Sequence, residues 1–185
     1  MVAGIIIIAL ILLVVIFLIS SYNSLIRLRN QVKNAWAQID VQLKRRHDLI
    51  PNLIETVKGY MNHERATLEN ITNARSQAVS AQTVSEKAKA EAQLTEAIGK
   101  FNLVVENYPN LKANENFLAL QEELTSTENK ISFSRQSYND QVLFYNNRIQ
   151  MFPSNMIATM FNFKQEDFFQ VEDQTERAVP KVSFP

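Results

Sequence analysis

Residues 43–54, LKRRHDLIPNLI, decide the fold of this chain. A stripe of apolar residues with helical spacing runs into this stretch, is interrupted by charged residues and Pro51, and resumes in the same register. Because residues three and four apart share one face of a helix, the pattern predicts one long amphipathic helix. Proline lacks a backbone N–H donor, so we expect a kink or short break in this helix near residues 46–51.

The apolar stripe steps alternately by four and three residues along this helix. Its positions are Val32, Trp36, Ile39, Leu43, the charged Arg46, Ile50, Leu53, Val57, Met61, the polar Glu64, Leu68 and Ile71. They keep one face apolar over about forty residues, which is long enough to pack against two partner helices. The same face can also join identical chains, and the sequence leaves both arrangements open.

Composition favours a few long helices. The chain has 185 residues, is 46% hydrophobic, and contains only three glycines and five prolines. Glycine and proline are the residues that most often form turns, and an all-β fold needs many turns. So few of them therefore argue against an all-β fold. The formal net charge is +0, so bulk electrostatics give no reason to expect a nucleic-acid partner. The absence of cysteine excludes disulfides, thiolate nucleophiles and cysteine-ligated metals.

The N-terminus carries a candidate membrane anchor. Residues 2–19 form an unbroken apolar run of about 18 residues, which at roughly 1.5 Å per residue nearly spans a hydrocarbon core of about 30 Å. The rival interpretation is a cleaved signal peptide, but no charged region precedes the run and no clear small-x-small cleavage site follows it. We therefore predict an uncleaved transmembrane helix at residues 1–21, continuing into the next helix without a hinge.

Flanking charge predicts the orientation of this anchor. Arg27, Arg29 and Lys33 follow the apolar run, whereas only the α-amino group precedes it. The positive-inside rule then puts the N-terminus outside and the C-terminal domain in the cytoplasm. Tyr22 stands just past the apolar end, where an amphipathic ring belongs at the headgroup level. Tyr22, Arg27 and Arg29 are therefore our candidate membrane-interface residues.

The remaining chain predicts further helices. A loop is expected at 76–83, followed by a helix whose start, Thr83 to Glu86, fits a capping box and which ends before Pro109. A third long helix is expected at 114–149 and a short amphipathic one at 155–161, capped by Ser154. The predicted fold is all-α, an anchor leading into an antiparallel bundle of three long helices plus a short C-terminal helix. Its segments are residues 1–21, 22–163 and an extended acidic tail, 164–185.

The residues available for catalysis or metal binding do not form a recognisable site. The two histidines, His47 and His63, are separated by roughly 24 Å along a straight helix. His63 is followed by Glu64, but the second histidine that a helical zinc motif requires is missing. We therefore predict no catalytic residues, no metal site and no cofactor.

The stretch 43–54 has a structural and a functional interpretation. In the structural one, Arg45 and Arg46 lie near a helix end and Asp48 caps the turn that follows, next to Pro51. In the functional one, Arg46 stands in the register of the stripe and forms a buried or inter-chain ion pair, which fixes register more than it adds stability. Candidate partners within the chain are Glu122, Glu123 and Glu128.

Trp36, the only tryptophan, also lies on the stripe. Its position there is typical of a core residue, or alternatively of an interface anchor. Together with Arg45, Arg46, Asp48 and Pro51, Trp36 completes the candidate register and interaction residues.

Motifs at both ends of the chain resemble the LemA family of bacterial membrane proteins. They are YNSLIRLRN at 22–30, AWAQIDVQLKRR at 35–46, DLIPNL at 48–53, YNN at 145–147, FPSN at 152–155, FNF at 161–163 and VSF at 182–184. The resemblance implies a single-pass anchor in the bacterial cytoplasmic membrane, with a short external end, and an antiparallel helical bundle. It implies no catalytic residues.

These observations lead to the hypothesis of a non-enzymatic scaffold or adaptor. Its expected partners are the lipid bilayer, further copies of the same chain as a homo-oligomer, and a membrane protein docked on the bundle; nucleic acid is not expected. The alternative is a regulatory or signalling membrane protein that modulates a neighbouring protease or envelope-stress system. A third and more remote hypothesis is that the protein is an enzyme.

Overall fold

The structure, a computed structural model, describes residues 1–61 and 63–170. This part of the chain contains six helices and no strand, which confirms the all-α fold class. The helices are α1 (Val2–Val57), α2 (Arg65–Ser80), α3 (Val84–Val105), α4 (Pro109–Lys112), α5 (Glu115–Gln150) and α6 (Ser154–Met160). The predicted extended tail lies, from residue 171 onward, outside the described residues.

Helix α1 is continuous through the proline. The helix has no break near 46–51, because every residue of that stretch is helical and Pro51 lies inside the helix, and a kink at the proline stays a prediction. The proline removes only the hydrogen bond to the carbonyl of His47. Burial of Ile50 and Leu53 on either side offsets that loss. Arg45 and Asp48 are therefore mid-helix residues, and neither stands at a helix end or caps a turn.

The first part of α1 is long and apolar enough to cross a membrane. No other helix in the described part of the chain meets this criterion. The side chains of residues 2–20 are exposed, as expected of an apolar run whose solvent is lipid. Length and composition therefore agree with the predicted anchor.

The apolar stripe does not continue in one helix to Ile71. Helix α1 ends at Val57, and the described residues between it and α2, namely 58–61, 63 and 64, are not helical. The amides of Tyr60 and Met61 both bond back to the carbonyl of Val57, at 2.9 and 3.0 Å, and close a turn. Gly59, which costs roughly 1 kcal/mol relative to alanine in a helix, weakens helix formation here.

The start of α3 confirms the capping box. The amide of Glu86 donates to Thr83 Oγ1 at 3.2 Å, and the amide of Thr83 donates to Glu86 Oε2 at 3.1 Å. Hydrogen bonds from the backbone of Thr83 and Gln82 and from the Thr83 side chain lower the pKa of Glu86. The preceding loop is shorter than predicted, because α2 extends to Ser80 and only residues 81–83 connect the helices.

The C-terminal helices lie close to their predicted positions, with one error in capping. Ser154 does not cap α6, since the N-cap residue is Pro153 and no side chain caps the helix. Instead Ser154 Oγ donates to the carbonyls of Arg148, at 2.6 Å, and Met151, at 2.9 Å. Residues 164–170, the described part of the tail, form no helix or strand.

The described residues group into two compact units. The first contains residues 1–49 and 120–168, and the second contains residues 50–119 with 169 and 170. The core of the first unit is formed by Leu25, Val32, Ala35, Ile39, Leu43, Leu124, Ile131, Tyr138, Val142, Tyr145, Ile157, Ala158 and Phe163. In the second, buried alanines of α2 and α3 (Ala74, Ala78, Ala88 and Ala90) let these two helices approach closely.

Candidate functional site

The first unit is organised by antiparallel pairing of α1 with α5. Arg46 contacts Glu128, and Trp36 contacts Tyr138, so ten residues back along α1 correspond to ten residues forward along α5. Buried positions recur every seven residues on both helices: Leu25, Val32, Ile39 and Arg46 on α1, and Leu124, Ile131, Tyr138 and Tyr145 on α5. A seven-residue period is the packing repeat of coiled coils.

Arg46 occupies one of these core positions and forms a buried ion pair. Its side chain is only 3% exposed, and its Nη1 atom lies 3.1 Å from Oε2 of Glu128, whose side chain is 42% exposed. Burying a guanidinium costs free energy unless a carboxylate and hydrogen bonds compensate it. Because the carboxylate partner sits at one level of α5, the pair favours a single register of α1 against α5.

Arg45 makes a second ion pair beside the first. Its guanidinium bonds to Oε1 of Glu123, and both side chains are partly exposed. Arg45 and Glu123 each precede a core residue by one position, namely Arg46 and Leu124. Flanking positions of this kind carry the interhelical ion pairs of coiled coils. Two of the three glutamates named from the sequence thus bind the two arginines.

Trp36 and Tyr138 connect the helix pair to the tail. Their ring centroids are 5.3 Å apart in an edge-on arrangement. The Tyr138 hydroxyl donates to the carbonyl of Asp167 at 2.8 Å. Burial, together with the negative charges of Glu166 and Asp167, raises the pKa of Tyr138 to about 12. Trp36 therefore contributes to the packing of this unit, which is one of the two roles its position predicted.

Asn146 holds the tail by a two-point contact. Its Nδ2 donates to the carbonyl of Glu166 at 2.9 Å, and its Oδ1 accepts from the amide of the same residue at 3.0 Å. A buried side-chain amide whose two ends bond to the N–H and the C=O of one residue fixes the direction of the chain at that residue. Sequence periodicity could not identify this role, although Asn146 lies in the YNN motif.

The FNF motif folds back against the start of the bundle. Asn162 has φ 53°, in the left-handed region, and the amide of Phe163 bonds to the carbonyl of Ala158 at 2.9 Å. This geometry ends α6 and turns the chain. The rings of Phe161 and Phe163 then lie 4.8 and 5.8 Å from the ring of Tyr22. Arg29 completes the cluster, with Cζ 5.3 Å from the Phe163 ring centroid.

One side of the α1–α5 pair exposes large apolar side chains at matched positions. Val41 is 63% exposed and Phe133 is 74% exposed. Each follows a core residue by two positions, Ile39 on α1 and Ile131 on α5. In an antiparallel heptad pair such positions lie on the same side as the ion pair of Arg45 with Glu123. We call this side, formed by Val41, Arg45, Glu123 and Phe133, the Val41–Phe133 face.

Sequence reasoning missed the Val41–Phe133 face. The signal that identifies it is an apolar residue outside the apolar stripe of a helix, in a position where a solvated helix carries a polar one. The predicted residues Arg27, Asp48 and Pro51 are exposed, and none of them makes a contact that defines a site in the described structure.

The two histidines belong to different elements of the chain. His47 is half-buried in α1, whereas His63 is exposed in the turn before α2. Among the described residues, no group of three histidine, aspartate or glutamate side chains is arranged to hold a metal ion. A hollow of about 490 Å³ opens between α2 and α3 and is lined mainly by polar side chains such as Asn70, Asn73 and Gln77.

Fold and site together define a class, namely helical-bundle proteins with an N-terminal helix of membrane-spanning length. The chain belongs to the LemA family, whose family model matches residues 35–184. The resemblance drawn from the sequence motifs is thereby confirmed. The apolar N-terminal helix and the family relationship indicate a membrane protein.

Individual relatives extend over most of the chain. It is 29% identical to Protein LemA of Metamycoplasma hominis over 153 residues, covering 82% of this chain and 69% of the relative. It is 22% identical to Magnetosome protein MamQ 2 of Paramagnetospirillum magneticum over 179 residues, covering 83% and 66%. It is 20% identical to Magnetosome protein MamQ of Magnetospirillum gryphiswaldense over 178 residues, covering 82% and 65%. The chain spans about two thirds of the length of these relatives.

Proposed function

We propose that this protein is a non-enzymatic membrane-anchored scaffold that acts by self-association and by docking partners on its helices. In this proposal residues 2–19 span the bacterial cytoplasmic membrane once. Arg27, Arg29 and Lys33 on the C-terminal side favour a cytoplasmic bundle and an external N-terminus.

The Val41–Phe133 face is the observation that carries the proposal. An exposed phenylalanine held on a helix costs little conformational entropy to bury, and aromatic residues dominate the binding energy of many interfaces. Next to it, the exposed ion pair of Arg45 with Glu123 supplies a polar rim of both charges. This combination fits a second copy of the same chain, which offers the same apolar pair and the same two charges.

Membrane anchoring favours such self-association. Copies anchored in one bilayer share orientation and depth, so their Val41–Phe133 faces lie at the same distance from the membrane. Confinement to a surface also raises the effective concentration, and a weak interface then suffices. The buried pair of Arg46 with Glu128 supports this arrangement, because it favours the register in which Val41 and Phe133 lie level.

The mass of the full-length protein in mild detergent tests the proposal. We expect a multiple of the 21.2 kDa chain mass. Phe133→Glu is expected to shift the protein to the monomer while helicity stays unchanged. Leu103→Glu is the matched control, because Leu103 is 72% exposed on α3 and lies outside the face. A wild-type monomer, or equal effects of both substitutions, would overturn the proposal.

Crosslinking in cells adds a test in the native membrane. A photoreactive residue at position 133 is expected to capture mainly other copies of the chain. Capture of one defined different protein, with no self-crosslink, would instead favour the regulatory role.

A further inference from the structure

The segment around α6 exposes an unusual set of large apolar side chains. Their exposed fractions lie between 53% and 81%, and they are Met151, Phe152, Met156, Met160 and Phe161. We call these five residues the α6 apolar surface. Contiguous apolar surfaces of this kind on helical proteins mark contacts with a membrane or another protein.

The α6 helix is two-sided. Ile157 and Ala158 are buried in the first unit, whereas Met156 and Met160, four residues apart, lie on the exposed side. Residues with this spacing share one helical face. The buried side holds α6 in place, so the exposed side is presented by a fixed element.

The position of this surface is tied to the end of the apolar run. The ring of Phe161 lies 4.8 Å from that of Tyr22, which is three residues past Ile19, the last residue of the run. The register of α1 and α5 places Phe152 at the same level. Trp36 pairs with Tyr138; fourteen residues back along α1 lies Tyr22, and fourteen residues forward from Tyr138 lies Phe152, two residues past the end of α5. Both observations put the α6 apolar surface where α1 would leave the bilayer.

Nearby charges fit a lipid surface. Arg29 lies over the Phe163 ring, Arg27 is exposed two residues earlier, and Lys164 is exposed just after the FNF motif. Cations beside an apolar surface are the usual combination in segments that bind anionic headgroups while their apolar side enters the acyl boundary.

We propose that the α6 apolar surface inserts into the interfacial layer of the leaflet from which α1 emerges, giving the protein a second membrane contact. The occupant of this surface is the lipid bilayer. The inference rests on the proposed anchor, because it places the membrane at Ile19 to Tyr22. Insertion would fix the tilt of the first unit on the membrane, and with it the direction of the Val41–Phe133 face.

Depth-dependent fluorescence quenching tests the inference on the full-length protein. The chain contains no cysteine, so single cysteines can be introduced at positions 152, 156 and 160 and labelled with an environment-sensitive dye. The protein is reconstituted in vesicles of phosphatidylcholine and phosphatidylglycerol at three to one, with or without brominated acyl chains. We expect at least twofold stronger quenching by bromolipid at these positions than at position 133, together with protection from aqueous iodide.

Two control positions make the outcome unambiguous. Phe133→Cys has the same starting residue as Phe152→Cys and similar exposure, but lies roughly 25 Å from the end of α5. Ile11→Cys, inside the apolar run, reports on the anchor itself. Strong quenching at position 11 with none at 152, 156 and 160 would overturn the inference and leave the anchor intact.

Two other outcomes test the proposed anchor and the assignment of lipid as the occupant. If position 11 is not quenched either, the proposed anchor is wrong. If the three α6 positions are shielded from iodide but not quenched by bromolipid, protein covers the surface and the lipid assignment is wrong.

Discussion

Replacing Arg46 by glutamate should destabilise the first unit strongly, because it puts two carboxylates where an ion pair now lies. Arg46 is buried at a core position of the α1–α5 pair, 3.1 Å from Glu128. Two unit charges about 4 Å apart interact by roughly 4 kcal/mol at an effective dielectric constant near 20. Glu128 is 42% exposed, so water screens part of this repulsion. We expect a loss of about 3 kcal/mol, which for a protein of this size lowers Tm by roughly 6–12 °C.

The chain offers a matched control and a rescue. Arg45→Glu makes the same change one residue away, at an exposed ion pair, and should cost less than about 1 kcal/mol. Exchanging the charges in Arg46→Glu with Glu128→Arg should recover part of the lost stability, although the guanidinium then starts from the more exposed side. Arg46→Met removes the buried charge and leaves the 42% exposed carboxylate of Glu128 in contact with water, so it should cost less than Arg46→Glu.

Thermal and urea unfolding of the full-length protein in detergent, followed by circular dichroism, measure these effects. Equal stability of wild type and Arg46→Glu would refute the reasoning and show that Arg46 is in effect a surface charge. Equal losses for Arg45→Glu and Arg46→Glu would show that general electrostatics dominate over the buried pair.

Three further substitutions test other contacts. Tyr138→Phe should lose about 1 kcal/mol at pH 7 with the bond to Asp167, and should reduce the loss of stability that we expect of wild type between pH 10 and 12. The sign follows because a raised pKa means that folding favours the neutral phenol, whose contribution is complete below pH 10. Thr127→Val should stabilise by about 1 kcal/mol, because Thr127 Oγ1 is buried without a hydrogen-bond partner among the described residues. Thr83→Ala should destabilise by about 1 kcal/mol through loss of the α3 cap.

Urea unfolding measures all three. For Tyr138→Phe the comparison is between pH 8 and pH 11, and an unchanged alkaline loss would contradict the assignment. Thr125→Val, at an exposed residue whose hydroxyl bonds to the carbonyl of Gln121, is the control for Thr127→Val and should not stabilise. A Thr83→Ala variant as stable as wild type would show that the capping box is redundant.

Periodicity predicted the helices well but not all of their ends. A helix boundary depends on a balance of about 1 kcal/mol, which the sequence records weakly. Pro51 predicts a kink or short break, and the helix is not broken there, because burial of neighbouring apolar residues outweighs one lost hydrogen bond. The apolar spacing continues past Gly59, yet α1 ends two residues before this glycine. The capping box was predictable because its two residues recognise each other locally.

Some long-range contacts were predictable from the sequence, and others were not. The sequence named Glu122, Glu123 and Glu128 as candidate partners of Arg46 within the chain and left a partner on a second copy open, whereas the assignment of Glu123 to Arg45 and of Glu128 to Arg46 required the structure. The two-point bond of Asn146 to Glu166 was not predictable, because any exposed asparagine would look the same in the sequence. The Val41–Phe133 face could be recognised only from the pairing of α1 with α5 in the structure.

Self-association in a membrane tests the proposed scaffold most directly. The full-length protein, labelled with one fluorophore per chain and reconstituted in vesicles at low protein-to-lipid ratio, can be counted by single-molecule photobleaching. We predict two or more bleaching steps in most occupied vesicles, and mainly one step for Phe133→Glu. Single-step bleaching of the wild type at every protein-to-lipid ratio would contradict the proposal that this protein works by assembling with itself.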